Sequence, residues 1–211
     1  MPDMPWRSMH VASRFALRKV RLRVEGLEHI PKHGPVIIAA RHFHHFYDGA
    51  VLLNAIDRPL HILVALDWVR GRASQLIMPR ACAAARWPVV DRNGTGMSGM
   101  RAAVRESVEL LNCGRVLAIF PEAYPTIDPS PTPKTNRDEF LPFRDGVVRI
   151  AGMAATPDRP VVIVPAGFSY VQSDQWEITV RFGPPFFVTG RARDPEMIGA
   201  IEQDVIQLSM A

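Results

Sequence analysis

With 211 residues, 47% of them hydrophobic, the chain is long enough to bury one sizeable core and is expected to form a single domain. No run approaches the roughly 18 apolar residues needed to span a bilayer, and residues 1–6 lack the charged-then-apolar order of a signal peptide. The net charge of +4 would suit nucleic acid, acidic lipid or a phosphorylated small molecule. Its distribution narrows that choice. Arg7, Arg14, Arg18, Lys19, Arg21 and Arg23 gather in the first 23 positions, against the acid Asp3. No aromatic-interleaved basic stripe and no nucleic-acid motif follow, so nucleic acid is not an expected partner. Cys82 and Cys113 both lie in apolar, helix-like stretches and read as reduced core residues of a cytoplasmic protein.

Residues 5–19 have the pattern of an amphipathic helix, with Trp6, Met9, Ala16, Leu17 and Val20 on one face and Arg7, Arg14 and Arg18 on another. A membrane-surface helix and a helix packed on its own domain both fit that pattern. Residues 20–24 alternate strictly and predict a half-buried strand. Gly26, Pro31 and Gly34-Pro35 mark turns before an apolar strand at 36–40, and a helix follows from 46 to 54. Residues 60–66 predict a strand. Residues 73–86 predict a helix kinked or broken at Pro79, and 87–94 a short strand running into a turn. The next helix has Ser98 as its expected cap and Gly114 as its stop, with Met100, Ala103, Val104, Val108 and Leu111 at helical spacing. A buried strand at 116–120 leads into an irregular loop, 125–138, that holds four prolines. A helix at 145–155, strands at 161–166 and 176–182, and a helix at 195–210 complete the chain. The expected fold is α/β: a 20–211 domain with a central mixed, largely parallel sheet flanked by helices, preceded by the amphipathic helix of 1–19.

The chemistry concentrates at one junction, Arg41-His42-Phe43-His44-His45-Phe46-Tyr47-Asp48-Gly49, between the strand at 36–40 and the helix after it. Open α/β sheets place their chemistry at the carboxyl ends of strands. The His42/His44/His45 cluster admits a metal-dependent hydrolase, but no histidine follows His61, so later ligands would have to be carboxylates. A serine nucleophile lacks its Gly-x-Ser-x-Gly elbow. Gly94-x-Gly96-x-x-Gly99 has the dinucleotide-fingerprint spacing but lies late in the chain, where helix entry is the plainer account. What remains is a histidine acting as general base with Asp48 orienting it, in chemistry where the substrate supplies the attacking hydroxyl. Spacing alone leaves the choice of histidine open.

Several stretches then resemble one family. Residues 24–31 followed by Gly34-Pro35-Val36-Ile37-Ile38-Ala39-Ala40-Arg41-His42 resemble the start of the glycerolipid acyltransferases, which include the lysophosphatidic acid acyltransferases. Val89-Val90-Asp91-Arg92 resembles the family's Phe-Ile-x-Arg block. Phe120-Pro121-Glu122-Ala123-Tyr124-Pro125 resembles its Phe-Pro-Glu-Gly-Thr-Arg block. Residues 141–146 and the apolar strand at 161–166 resemble its later segments. The resemblance implies transfer of an acyl group from an acyl-CoA or acyl-carrier-protein thioester to the hydroxyl of a lysophospholipid such as 1-acylglycerol-3-phosphate. It implies no cofactor and no metal. His42 would be the base, Asp48 its partner, Arg92 the residue that pairs with the acceptor's phosphate, and Glu122 a residue that positions the acceptor or organises the site. The cellular place implied is cytoplasmic and peripheral at the inner face of the membrane, with contact through the amino-terminal helix. Two departures stand out. Five residues separate His42 from Asp48, one more than in the family motif, which keeps His44 as the alternative base. Ala123, Tyr124 and Pro125 replace Gly, Thr and Arg, which also leaves room for a catalytically lapsed lipid-binding relative.

Overall fold

The computed structural model of the protein describes residues 4–66, 69, 71–90, 97–128, 131–190 and 194–211, of which 4, 5, 97 and 98 in backbone alone. In chain order the elements are α1 (Met4–Ala16), β1 (Val20–Glu25), a short 3-10 turn (Leu27–His29), β2 (Val36–Ala40), α2 (Tyr47–Ala55), β3 (Leu60–Ile62), β4 (Val64–Ala65), α3 (Arg72–Ala85), β5 (Val89–Val90), α4 (Met97–Asn112), β6 (Val116–Ile119), α5 (Gly146–Ala154), β7 (Val161–Gln172), β8 (Trp176–Phe182), β9 (Phe186–Val188) and α6 (Pro195–Met210). The main sheet runs β1-β8-β7-β2-β6-β3, with β9 added beside β7. β2 lies parallel to β6 and β7, β3 parallel to β6, and β1 parallel to β8, while β7 pairs antiparallel with β8 and β9. The fold is therefore a mixed, mostly parallel α/β sheet flanked by helices.

β2 is the spine of this sheet. All five of its residues are buried, because both faces are covered. Strand alternation sends Val36, Ile38 and Ala40 into the core shared with α2, and Ile37 and Ala39 into the core shared with α5 and α6. A strand buried on both sides needs apolar residues at every position, which explains the unbroken run at 36–40. α6 closes over β7 at Gly167, where a Cβ would stand 2.3 Å from the carbonyl carbon of Leu208, so only glycine fits this approach.

Six expectations change. Cys113, expected in the core, is exposed, and Ser98, expected as a cap, lies within α4. The strand at 60–66 divides at Leu63: its N–H still bonds Ala118 O, but the next, Val64 N, turns to Pro88 O and so to a separate two-stranded pair with β5. α3 runs through Pro79 without a break. The carbonyl of Gln75, whose partner the proline removes, belongs to an exposed residue that water can serve. β7 continues six residues past 166, because its second half pairs with β8. β9 has no counterpart among the predicted elements. As for α1, its apolar side faces inward. Leu17, just beyond its end, is buried, Trp6 and Met9 pack on the core around α2, and His10 Nδ1 meets Leu53 O at 2.8 Å. Val11 and Phe15 remain exposed on its outer side. Among the described residues, no helix is long and apolar enough to cross a membrane.

Candidate active site

At the carboxyl end of β2 the chain leaves the sheet as Arg41 N donates to Ala166 O. The next residue, His42, turns its ring back toward α2 and places Nδ1 2.9 Å from Asp48 Oδ2. The ring stacks on Phe120, with centroids 4.3 Å apart. Asp48, in the first turn of α2, is wholly inaccessible to solvent. Its Oδ2 also accepts the N–H groups of Phe43 (2.7 Å) and His44 (3.0 Å), and its Oδ1 accepts the hydroxyl of Tyr170. The extra residue between His42 and Asp48 is absorbed here: the backbone at 43 and 44 wraps the carboxylate and donates to it. Four donors fill the capacity of an ionised carboxylate. An acceptor-only carboxylate at this distance calls for a hydrogen on Nδ1 of His42, which directs Nε2 away from Asp48.

The neighbouring imidazoles are used differently. His44 Nδ1 accepts the N–H groups of Phe46 (3.2 Å) and Tyr47 (3.4 Å), so it caps α2, where Phe46 offers no side-chain cap of its own. Burial pushes its pKa below the usual 6.5, with Asp48 opposing, and the neutral ring suits the acceptor role. His45 directs both its backbone N–H and Nδ1 to Ile127 O. The three rings thus serve different hydrogen bonds, although those of His44 and His45 stack with centroids 5.0 Å apart, and no cluster of three or more His, Cys, Asp or Glu capable of holding a metal occurs among the described residues.

Behind His42 lies a second set of buried charges. Glu122 accepts from His42 N through Oε1 (2.8 Å) and from Leu141 N through Oε2 (3.0 Å), and it pairs with the ammonium of Lys134. Lys134 Nζ also donates to His42 O at 2.8 Å and to Thr126 Oγ1 at 3.2 Å. Arg41 donates to Phe168 O (3.3 Å) and Arg137 O (2.8 Å), with its guanidinium over the rings of Phe43 and Phe140. Burial lowers the pKa of both cations, and the nearby carboxylates oppose the shift. Arg41, Lys134, Asp48 and Glu122 are the buried charged residues among those described, two of each sign. Arg92 lies outside the described residues. Ala123, where the family's block has glycine, takes φ +66°, the left-handed conformation that glycine adopts without penalty.

The sequence reading missed Tyr170, Lys134 and the burial of Arg41. Tyr170 was legible in principle, because Phe168 and Tyr170 continue the alternation beyond 166. Lys134 has no sequence signal beyond being one of three lysines in an arginine-rich chain.

His42 forms part of the wall of a cavity of about 670 Å³. Its lining is mainly apolar, including Met9, Leu53, Ile62, Val104, Phe120 and Ile150, with Arg144 and Asp128 among the charged residues that reach it. The arrangement is an imidazole held against a buried carboxylate at the carboxyl end of a central strand, beside an apolar chamber. Residues 21–167, more than two thirds of the chain, match the Acyltransferase family, and the chain belongs to that family. In structure it is similar to the 1-acyl-sn-glycerophosphate (LPA) acyltransferase PlsC from Thermotoga maritima, with a TM-score of 0.65 over 96% of this chain and 77% of that one. The two are 15% identical, so the likeness is one of fold. No curated protein matches the chain in sequence.

The cap formed by His44 has a pH signature. Because its folded pKa lies below its unfolded value of about 6.5, the unfolded chain takes up the proton more readily, and stability falls as pH drops through that region. Asn at this position keeps a side-chain acceptor for the helix start and does not titrate. Urea melts from about pH 7 to pH 5 are expected to show a shallower loss of stability in His44→Asn than in the unmodified protein. Equal slopes would remove the capping role.

Proposed function

We propose that the protein transfers a fatty acyl group from an acyl-CoA or acyl-carrier-protein thioester to the hydroxyl of a lysophospholipid such as 1-acylglycerol-3-phosphate. The observation that carries this reading is the His42–Asp48 pair at the wall of the apolar cavity. His42 Nε2 takes the proton of the acceptor hydroxyl as its oxygen attacks the thioester carbonyl. The tetrahedral intermediate collapses with loss of the thiolate, which recovers the proton from the imidazolium. Asp48 stabilises that imidazolium and fixes its orientation. No acyl-enzyme forms and no cofactor takes part. The cavity's size and lining suit an acyl chain.

Glu122 organises the site, since both of its oxygens are engaged by protein groups. Arg92 pairs with the acceptor's phosphate. This assignment rests on its place in the second sequence block and on the fit of a guanidinium to phosphate. The protein works at the cytoplasmic face of a membrane. Val11 and Phe15 on α1, and Leu76 and Ile77 on the adjoining α3, are each more than half exposed and are accompanied by Arg7, Arg14, Arg18, Arg72 and Arg80. Apolar residues among arginines suit an anionic bilayer surface.

Two experiments test this reading. In an assay with labelled acyl-CoA and lysophosphatidic acid, His42→Ala is expected to lower kcat about 10³-fold, while His45→Ala stays within about tenfold. Arg92→Ala is expected to raise KM for the phosphorylated acceptor by roughly 10- to 100-fold without changing that for the donor. Full activity in His42→Ala removes it as the base, and an unmodified protein that turns over no donor and acceptor pair is a lapsed lipid-binding relative. For the membrane contact, co-sedimentation with vesicles containing anionic lipid is expected to fall sharply in Phe15→Asp/Ile77→Asp. Unchanged sedimentation places the contact elsewhere.

A further inference from the structure

The backbone of His42 is held on both sides. Glu122 Oε1 holds its N–H, and Lys134 Nζ holds its carbonyl, each at 2.8 Å. The two gripping side chains are ion-paired with each other, and neither has any solvent-accessible side-chain surface. They come from distant places: Glu122 follows β6, whereas Lys134 stands in the proline-rich segment 125–138. That segment is itself laid along the histidine stretch, with Thr126 N on His42 O (3.2 Å), Ile127 N on Phe43 O (2.7 Å) and His45 N on Ile127 O (3.1 Å). Beyond Lys134 the chain is tied again, where Leu141 N meets Glu122 Oε2 at 3.0 Å. Residues 126–128 and 131–141 thus strap the site, and the buried fastening among them is one lysine.

A buried ion pair is a poor device for stability, because desolvating two charges costs about as much as their attraction returns. Its geometry here does something an apolar pair could not. An ammonium has three donors, and Lys134 directs them to Glu122, Thr126 and the carbonyl of His42. We propose that Lys134 is a positioning residue of this site: with Glu122 it fixes the backbone on both sides of the His42 Cα so that the imidazole meets Asp48 and the cavity at once. Lys134 touches no substrate and acts through His42. Its effect on rate rests on the acyl-transfer reading, and its effect on the ring does not.

The test uses the full chain, the single variant Lys134→Met and the double variant Lys134→Met/Glu122→Gln. The double variant avoids a lone buried carboxylate and keeps an acceptor for His42 N–H. Isotope-labelled histidine NMR reports the ring tautomer, and steady-state kinetics report kcat and KM. The unmodified protein is expected to show His42 as the Nδ1–H tautomer. In the double variant, thermal stability returns toward that of the unmodified protein, the tautomer becomes mixed, and kcat falls about 10²-fold while KM changes less than about threefold. If Lys134→Met alone does not fold, the double variant decides. Retention of the pure Nδ1–H tautomer there, or of kcat within about threefold, overturns the proposal. If the unmodified protein transfers no acyl group, the reaction assigned above fails, and the tautomer still decides the role of Lys134.

Discussion

A carboxylate without access to water, that of Asp48, sets the arrangement of everything around it. Removing an ionised group from solvent costs several kcal/mol unless it is paired and hydrogen-bonded. Asp48 meets that requirement with four donors from two parts of the chain: the ring of His42 and the N–H groups of Phe43 and His44 from the loop after β2, and the hydroxyl of Tyr170 from β7. Its position in the first turn of α2 adds the favourable field of a helix start. Each donor carries a structural consequence. The two backbone N–H groups fold the loop after β2 into a fixed shape. Tyr170 commits the far half of β7 to the site, and the His42 bond orients the ring for the general-base role proposed above.

The same logic extends one layer back. Arg41 and Lys134 balance Asp48 and Glu122, so the buried region carries two charges of each sign, and every one of these side chains has a hydrogen-bonding partner. A site organised in this way holds its dipoles before substrate arrives. Such preorganisation would lower the reorganisation needed if the proposed imidazolium forms. It also joins remote segments: β2, the turn after β6, the proline-rich strap and β7 converge on the His42–Asp48 pair. The apolar cavity beside them puts a hydrocarbon-lined space next to this charged cluster, as the proposed reaction requires.

Much of the fold was legible because burial imprints a period on the residues. The unbroken apolar run at 36–40 demanded a strand covered on both faces, and the helical spacing of α4 and the strict alternation of β1 were equally direct. The division between β3 and β4, and the reach of β7 to Gln172, depend on which strand lies alongside, and local pattern does not encode that choice. At the site, an acid and three histidines at a strand-to-helix junction were visible at once, but spacing could not choose among them. His44, four residues before Asp48, has the helical separation, yet its ring caps α2 while its backbone N–H serves Asp48. Lys134 was illegible for a different reason: a loop without periodicity gives no hint that one of its side chains is buried. The amphipathic amino-terminal helix was ambiguous as read, and its apolar face proves to be spent largely on the protein's own core.

Whether Asp48 holds His42 in its proton-accepting tautomer is tested most directly by the turnover of Asp48→Asn, measured alongside its melting temperature. The amide keeps the volume of the carboxylate but can present a donor to the ring and cannot stabilise an imidazolium by charge. Acyl transfer by a folded Asp48→Asn protein is expected to fall in kcat by about 10³- to 10⁴-fold, with KM for both substrates little changed. A folded variant that keeps kcat within about tenfold of the unmodified protein would contradict the assignment of the pair.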